Sequence, residues 1–312
     1  MYTKSLSDFV QSIRYRNLTK EVVEAVKMCI QDIVGVAIGG SVQETALIWR
    51  HYYNGQMGDG DAVIWGAGFE KGGYREVAAL NSAFGHLMDL DDLHNSSIAH
   101  LGVVTIPAVI AIGQKYKKSG KEVIASIVAG YEAGARIGEA INPSSYWFWH
   151  TTAVVGSFAT CAAVGNLLGL NQDQMLNCFG SAGTQSGGLW QFLSDGAMSK
   201  SLHTANATIC GMRAAELAML GFTGAQEILE GDRGFVKAIA KKYDMEALTR
   251  NINDKNYKIL KNSFKLYACC RHTHSAIYCL EKILQSKSLI PEEIIEIKDY
   301  TYKIAKDLTD KP

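Results

Sequence analysis

Proline is scarce, with only four in 312 residues, and so little of the residue that lacks a backbone donor leaves long windows free to be helical. Three of the four, Pro107, Pro143 and Pro291, stand at expected helix starts or between segments. Cysteine is sparse and scattered. Its seven positions (29, 161, 178, 210, 269, 270 and 279) form an odd set without a C-x-x-C pair, which argues against a disulfide framework or a zinc knuckle. Cys269 and Cys270 are adjacent, and chain neighbours rarely ligate one ion together. Neither sign of charge is in excess: Lys+Arg and Asp+Glu are both 31, so no global field draws nucleic acid or an anionic membrane. No uninterrupted apolar run of spanning length is apparent, and MYTKSLSDFVQSIRYRN lacks the apolar core of a signal peptide. The expectation is a cytosolic protein that binds neither nucleic acid nor membrane.

What is present is a 47% hydrophobic, 20% charged chain, able to bury one large domain and part of another. Helical signals dominate. Thr19 caps EVVEAVKMCIQDIVGVAI, whose apolar residues recur at three- and four-residue steps until Gly39 and Gly40. Helices are expected over 44–53 and from Arg75 to about Met88, with AVIW at 62–65 as an isolated strand. VTIPAVIAIGQKYKK reads as a buried helix. Ser119 with Glu122, and Asn171 with Gln174, form capping boxes for the helices that follow. Further helices are expected over 152–168, from Ser199 onward and up to Gly221. Near 250–262 the character changes, with strands expected around 257–260 and 294–302 and a helix from about Thr273. The reading is a mainly α chain: an all-α helical-bundle domain over 1–255, then the start of a smaller α+β domain over 256–312.

Four stretches carry chemistry. Asp89, Asp91, Asp92, His94 and His100 fall within twelve positions after a helix, at steps that cannot share a helix face. They suit either a divalent-metal site or a histidine base oriented by an aspartate. His150 sits among bulky neighbours in YWFWHTTAVVG, as a desolvated acid–base group or a satisfied core histidine. The irregular, glycine-broken GTQSGGLWQFLSDGAMSKSLH brings Trp190, Gln191, Lys200 and His203 together. A surface loop with a solvated lysine is its plain alternative. FKLYACCRHTHSA holds Lys265, Arg271, His272 and His274, four cations able to grip carboxylates. Cations beside bases fit proton abstraction next to a carboxylate, and hence a small polycarboxylate substrate.

These motifs resemble the MmgE/PrpD family: HLMDLDD with His100 and IPA, WHTTAVVGSFA, GTQSGGLWQFLSDGAMSKSLH, GFTGAQEILEG and FKLYACCRHTHSA, in family order along nearly the whole chain. The family includes 2-methylcitrate dehydratase, cis-aconitate decarboxylase and iminodisuccinate epimerase. The resemblance implies an all-helical domain with a smaller α+β domain, a homodimer, an interdomain cleft, and catalysis without metal or other cofactor. Matched by motif, Asp89, His100, His150, Lys200 and Lys265 take active-site positions, with Trp190, Gln191, His203, Arg271 and His274 as substrate-binding or supporting groups. Three positions depart from the pattern: Leu93 replaces a usual Thr or Ser, Leu101 follows His100 in place of proline, and Ala268 replaces a proline. Family members extend well past residue 312, so the smaller domain is expected to be incomplete.

The first expectation is therefore dehydration of 2-methylcitrate or a related hydroxy-tricarboxylate. His100 or Lys200 acts on the α-proton, His150 assists the leaving hydroxyl, and Lys200, Lys265 and Arg271 hold carboxylates. Decarboxylation and epimerisation use the same carbanion-like chemistry. Two further readings are a Mg²⁺- or Mn²⁺-dependent all-α enzyme built on Asp91 and Asp92 with His94 and His100, and a non-catalytic helical homodimer.

Overall fold

The computed structural model describes residues 1–66, 68–286 and 289–310. The chain divides into two compact units, Met1–Phe264 and Lys265–Pro312, and it is predominantly α, 61% helical with 4% strand. In the first unit the helices are α1 (Tyr2–Ser12), α2 (Lys20–Gly40), α3 (Glu44–Tyr53), α4 (Tyr74–Gly85), α5 (Leu101–Lys115) and α6 (Gly120–Ile141). They continue with α7 (Thr151–Leu168), α8 (Gln172–Gly183), the single-turn α9 (Phe192–Asp195), α10 (Ser199–Met219) and α11 (Phe235–Ile239). Two short antiparallel ribbons accompany them: β1 (Ala62–Val63) with β2 (Lys71–Gly72), and β3 (Leu93–His94) with β4 (Asn262–Ser263). The second unit contains α12 (His274–Ser286) and α13 (Lys303–Thr309).

The helix starts follow local chemistry. Thr19 accepts from the Val22 backbone, and the reciprocal boxes Ser119/Glu122 and Asn171/Gln174 both form, each satisfying donors the helix itself leaves over. α7 is long and apolar enough to cross a membrane by composition, yet 89% of that window is buried inside the unit. It lies against α5, α6, α8 and α10, so no polar face is required of it. Small residues permit this approach: a Cβ on Gly211 of α10 would lie 2.4 Å from Thr160 Cβ and 2.7 Å from the Ser157 carbonyl, both on α7.

Several expectations need correction. Pro107 is interior to α5, because that helix begins six residues earlier, at Leu101. The turn at 258–261 is 3₁₀, fixed by the Lys258 backbone N–H donating to Glu132 and by Lys258 Nζ lying 2.5 Å from Glu139 Oε2. The strand forms just after it, at β4. Residues 294–302 form no strand: alternation supplies one face, but a ladder needs a partner, and none pairs with this stretch among the described residues. The N-terminal segment, read only as lacking a leader, is an amphipathic helix whose Thr3, Leu6, Ser7 and Val10 are buried.

Candidate functional site

The chemistry-bearing side chains of the first unit stand at helix ends. His86 follows α4 as its C-cap, His100 is the N-cap of α5 and His150 the N-cap of α7. Lys200 and His203 occupy the first turns of α10. Two backbone ties hold these ends together: His100 N–H donates to Thr152 Oγ1 at 3.0 Å, and His150 N–H to the Gly188 carbonyl at 3.0 Å. Gly188 has φ +146°, and a Cβ there would lie 2.4 Å from Ala153 Cβ, so the glycine-rich stretch can press onto the start of α7 only without a side chain.

A buried cluster results. His150 Nδ1 lies 3.1 Å from His203 Nδ1, and the His150 ring is 4.5 Å from Trp190 and stacks at 5.6 Å on His86. His86 Nδ1 reaches both Asp91 oxygens, at 2.9 and 3.0 Å. His100 Nδ1 is 3.1 Å from Asp91 Oδ2, as a charge contact rather than an aligned hydrogen bond. Beside them Lys200 Nζ pairs with Asp89 Oδ1 at 2.8 Å, both side chains about a quarter exposed. Asp89 is held at φ +50°, a left-handed conformation that aspartate tolerates better than most residues.

Of the expected residues, the structure brings together Asp89, His100, His150, Trp190, Lys200 and His203, which meet from three separate stretches. Gln191 is exposed on the loop before α9. Lys265, Arg271 and His274 belong to the second unit, where Arg271 opens a 3₁₀ turn and the His274 ring lies 5.1 Å from Tyr267. Sequence reasoning missed His86. Its signal was its place at the head of HLMDLDD, five residues before the aspartate it contacts.

The metal reading built on Asp91, Asp92, His94 and His100 does not match the geometry. Asp92 accepts from Tyr131 Oη at 2.7 Å and Asn262 Nδ2 at 2.6 Å, while His94 Nδ1 meets Ser97 Oγ at 2.9 Å. The two aspartates thus serve different partners. A different trio, His86, Asp91 and His100, places donor atoms within 4.8 Å of one another. Two imidazoles in three donors are a poor match for Mg²⁺, which takes oxygen ligands.

Burial dominates the electrostatics. It pushes His86 and His203 down to about 4, with the Lys200 charge acting in the same direction on both. It holds His150 well below the usual histidine value, helped by His86, Lys200, His203 and His100. Burial alone would raise Asp91, but the facing His100 and His86 overcome it and keep the carboxyl well below its ordinary range. Around neutral pH His86, His150 and His203 are therefore neutral imidazoles beside an ionised Asp91 carboxylate.

This has a consequence for stability. His86, His94 and His203 titrate near 4 when folded, against an ordinary 6.5. Between those values the unfolded chain binds more protons, so stability rises with pH and is lost as the pH falls through the window. Asp92, raised by burial from 3.8 to about 6, acts in the opposite sense, but it is one group against three. The thermal midpoint followed by circular dichroism should fall by roughly 5 °C or more from pH 7 to pH 5 at constant ionic strength. An unchanged midpoint would mean that these imidazoles are hydrated.

The family model for the MmgE/PrpD N-terminal domain matches residues 4–248. Over 300 residues the chain is 30% identical to a cis-aconitate decarboxylase of Aspergillus terreus (strain NIH 2624 / FGSC A1156), covering 90% of this chain and 60% of that protein. It is 27% identical over 297 residues to the cis-aconitate decarboxylase-like protein oryM of Aspergillus oryzae, covering 90% and 61%. A cis-aconitate decarboxylase of Homo sapiens is 26% identical over 240 residues, covering 75% of this chain and 49% of that protein. The chain thus spans about 60% of the length of its fungal relatives.

Proposed function

The chain belongs to the MmgE/PrpD family, and on that premise we propose that it is the acid–base portion of a lyase for small polycarboxylates, with decarboxylation of cis-aconitate as its reaction. The observation that carries the proposal is the Lys200–Asp89 pair beside imidazoles kept neutral by burial. Cis-aconitate bears three carboxylates. As the carboxyl on its methylene carbon leaves as CO₂, the bonding pair spreads over three carbons, the double bond shifts, and a proton added at the far carbon completes the product. The Lys200 ammonium offsets the charge that develops and carries the proton the far carbon takes up, while the buried His100, 3.1 Å from Asp91 through Nδ1, leaves its other ring nitrogen for the substrate.

Dehydration of 2-methylcitrate, the first expectation from sequence, fits less well. That reaction needs an acid at the leaving hydroxyl, and the His150 assigned to it is a neutral imidazole well above its lowered pKa. Similarity to cis-aconitate decarboxylases supports the same choice. Lys265, Arg271 and His274 are proposed to hold carboxylates, as their motif implies, and a second copy of the chain is the proposed partner.

Proton NMR in D₂O with EDTA tests the reading, with cis-aconitate, 2-methylcitrate, citrate and an iminodisuccinate source offered in parallel. Loss of CO₂ from cis-aconitate with one deuterium in the product is the expected result. A new alkene from 2-methylcitrate would establish dehydration instead, and deuterium uptake without net conversion would indicate epimerisation. Silence toward all four, from this chain and from a version extended to the relatives' length, would remove the lyase reading.

A further inference from the structure

His86 and Asp91 have no part in the roles set out above, yet they form the floor of the cluster. Both side chains are wholly buried. Asp91 faces two imidazoles through the same kind of atom, Nδ1 of His86 at 2.9 Å and Nδ1 of His100 at 3.1 Å. His86 Nε2 is buried without a partner, and the His86 ring lies parallel to His150, 13° from coplanar.

We infer that Asp91 is a positioning residue that locks His86 and His100 into one tautomer, Nδ1 protonated and Nε2 bare, and that His86 is the buried support that holds the carboxylate in place. An ionised carboxylate can only accept, and this one is wholly buried, so His86 Nδ1 must donate to it, and His100 Nδ1, 3.1 Å away though not aligned as a hydrogen bond, escapes lone-pair repulsion with it only by carrying its proton. A neutral imidazole has a single N–H, which leaves Nε2 with its lone pair. For His86 this also removes a conflict: an N–H at the partnerless Nε2 would be a buried donor without an acceptor, a costlier state than a bare lone pair. For His100 the lock decides which nitrogen is left to meet a substrate. The charged and titratable groups around the pair are His150 from α7, Lys200 and His203 from α10, and Asp89 and Asp92 from the loop after α4. Among the described residues none of them accepts a hydrogen bond from either Nδ1.

The catalytic meaning of this lock rests on the lyase reading, but the lock itself can be read without turnover. Long-range ¹H–¹⁵N spectra of the full chain with ¹⁵N-labelled histidine, recorded near neutral pH with EDTA, report the tautomer of each ring. His86→Gln and His100→Gln assign the two signals. The expected result is a protonated Nδ1 and bare Nε2 for both residues, a mixed or reversed tautomer for His100 in Asp91→Asn, and an unaltered His100 pattern in His86→Gln. A wild-type His100 protonated at Nε2, or an Asp91→Asn spectrum identical to wild type in a chain of normal helix content, would overturn the inference. If Asp91→Asn does not fold, the wild-type spectrum alone decides. In a chain that turns over cis-aconitate, Asp91→Asn should lower kcat about 100-fold or more with little change in KM, as a wrong imidazole tautomer does elsewhere. Locked tautomers in a chain that stays inactive even when extended to the relatives' length would sink the lyase reading and leave this one standing, and turnover without locked tautomers would do the opposite.

Discussion

Lys200→Met should lower turnover of cis-aconitate by two to three orders of magnitude, roughly the loss seen when one preorganised charge-stabilising group is removed. Methionine keeps much of the stem's bulk and removes the charge. Asp89, 2.8 Å from Lys200 Nζ in the wild type, would then face substrate carboxylates with no cation between them. The substitution therefore adds repulsion to the loss of attraction. Two further readouts separate these effects. Asp89→Asn combined with Lys200→Met should recover part of the lost binding, seen in KM, while leaving kcat low. The imidazoles of His86, His150 and His203, which the lysine charge helps to hold down, should titrate at higher pH in Lys200→Met. A variant with near wild-type turnover would place the developing charge elsewhere.

Gly211→Leu should unfold the first unit or destabilise it by about 3 kcal/mol or more. The atoms a Cβ would meet include the Ser157 carbonyl at 2.7 Å and the Cys161 amide nitrogen at 2.8 Å, which are backbone of α7 and cannot step aside as a flexible side chain can. The two helices must separate, and they carry His150 at the head of α7 and Lys200 with His203 at the head of α10. Stability and site geometry should therefore fail together. Gly120→Ala, with nothing within 4 Å of its Cβ, is the control and should stay within about 0.5 kcal/mol of wild type. Chemical denaturation followed by circular dichroism measures both. Equal midpoints for Gly211→Leu and wild type would show that α7 and α10 are not closely packed there.

Helix starts were legible because their signals are local: Thr19, Ser119 and Asn171 act within three residues of themselves. The Lys200–Asp89 pair was not, since its partners are 111 positions apart in sequence and only packing of α4 against α10 brings them together. The residue types of the site were visible, but their partners were not. Asp91 and Asp92 look equivalent in HLMDLDD, and folding sends one to His86 and His100 and the other to Tyr131 and Asn262. Adjacent loop residues commonly diverge in this way, and no spacing rule separates them. The strand expected at 294–302 failed for the opposite reason: its alternation is real, but Ile295 and Tyr300 are 100% and 91% exposed, and a pleated face with nothing to pack against or pair with does not make a sheet.

The central claim is that the imidazole and lysine cluster of the first unit receives a polycarboxylate. The most direct test is to titrate the histidine-labelled chain with propane-1,2,3-tricarboxylate, a saturated analogue that cannot react, and follow each ring. The account predicts saturable shifts at His100, His150 and His203, with His51 on α3 and His94 beside Ser97 unmoved. No saturable shift at those three, or shifts centred on His51 or His94, would contradict it.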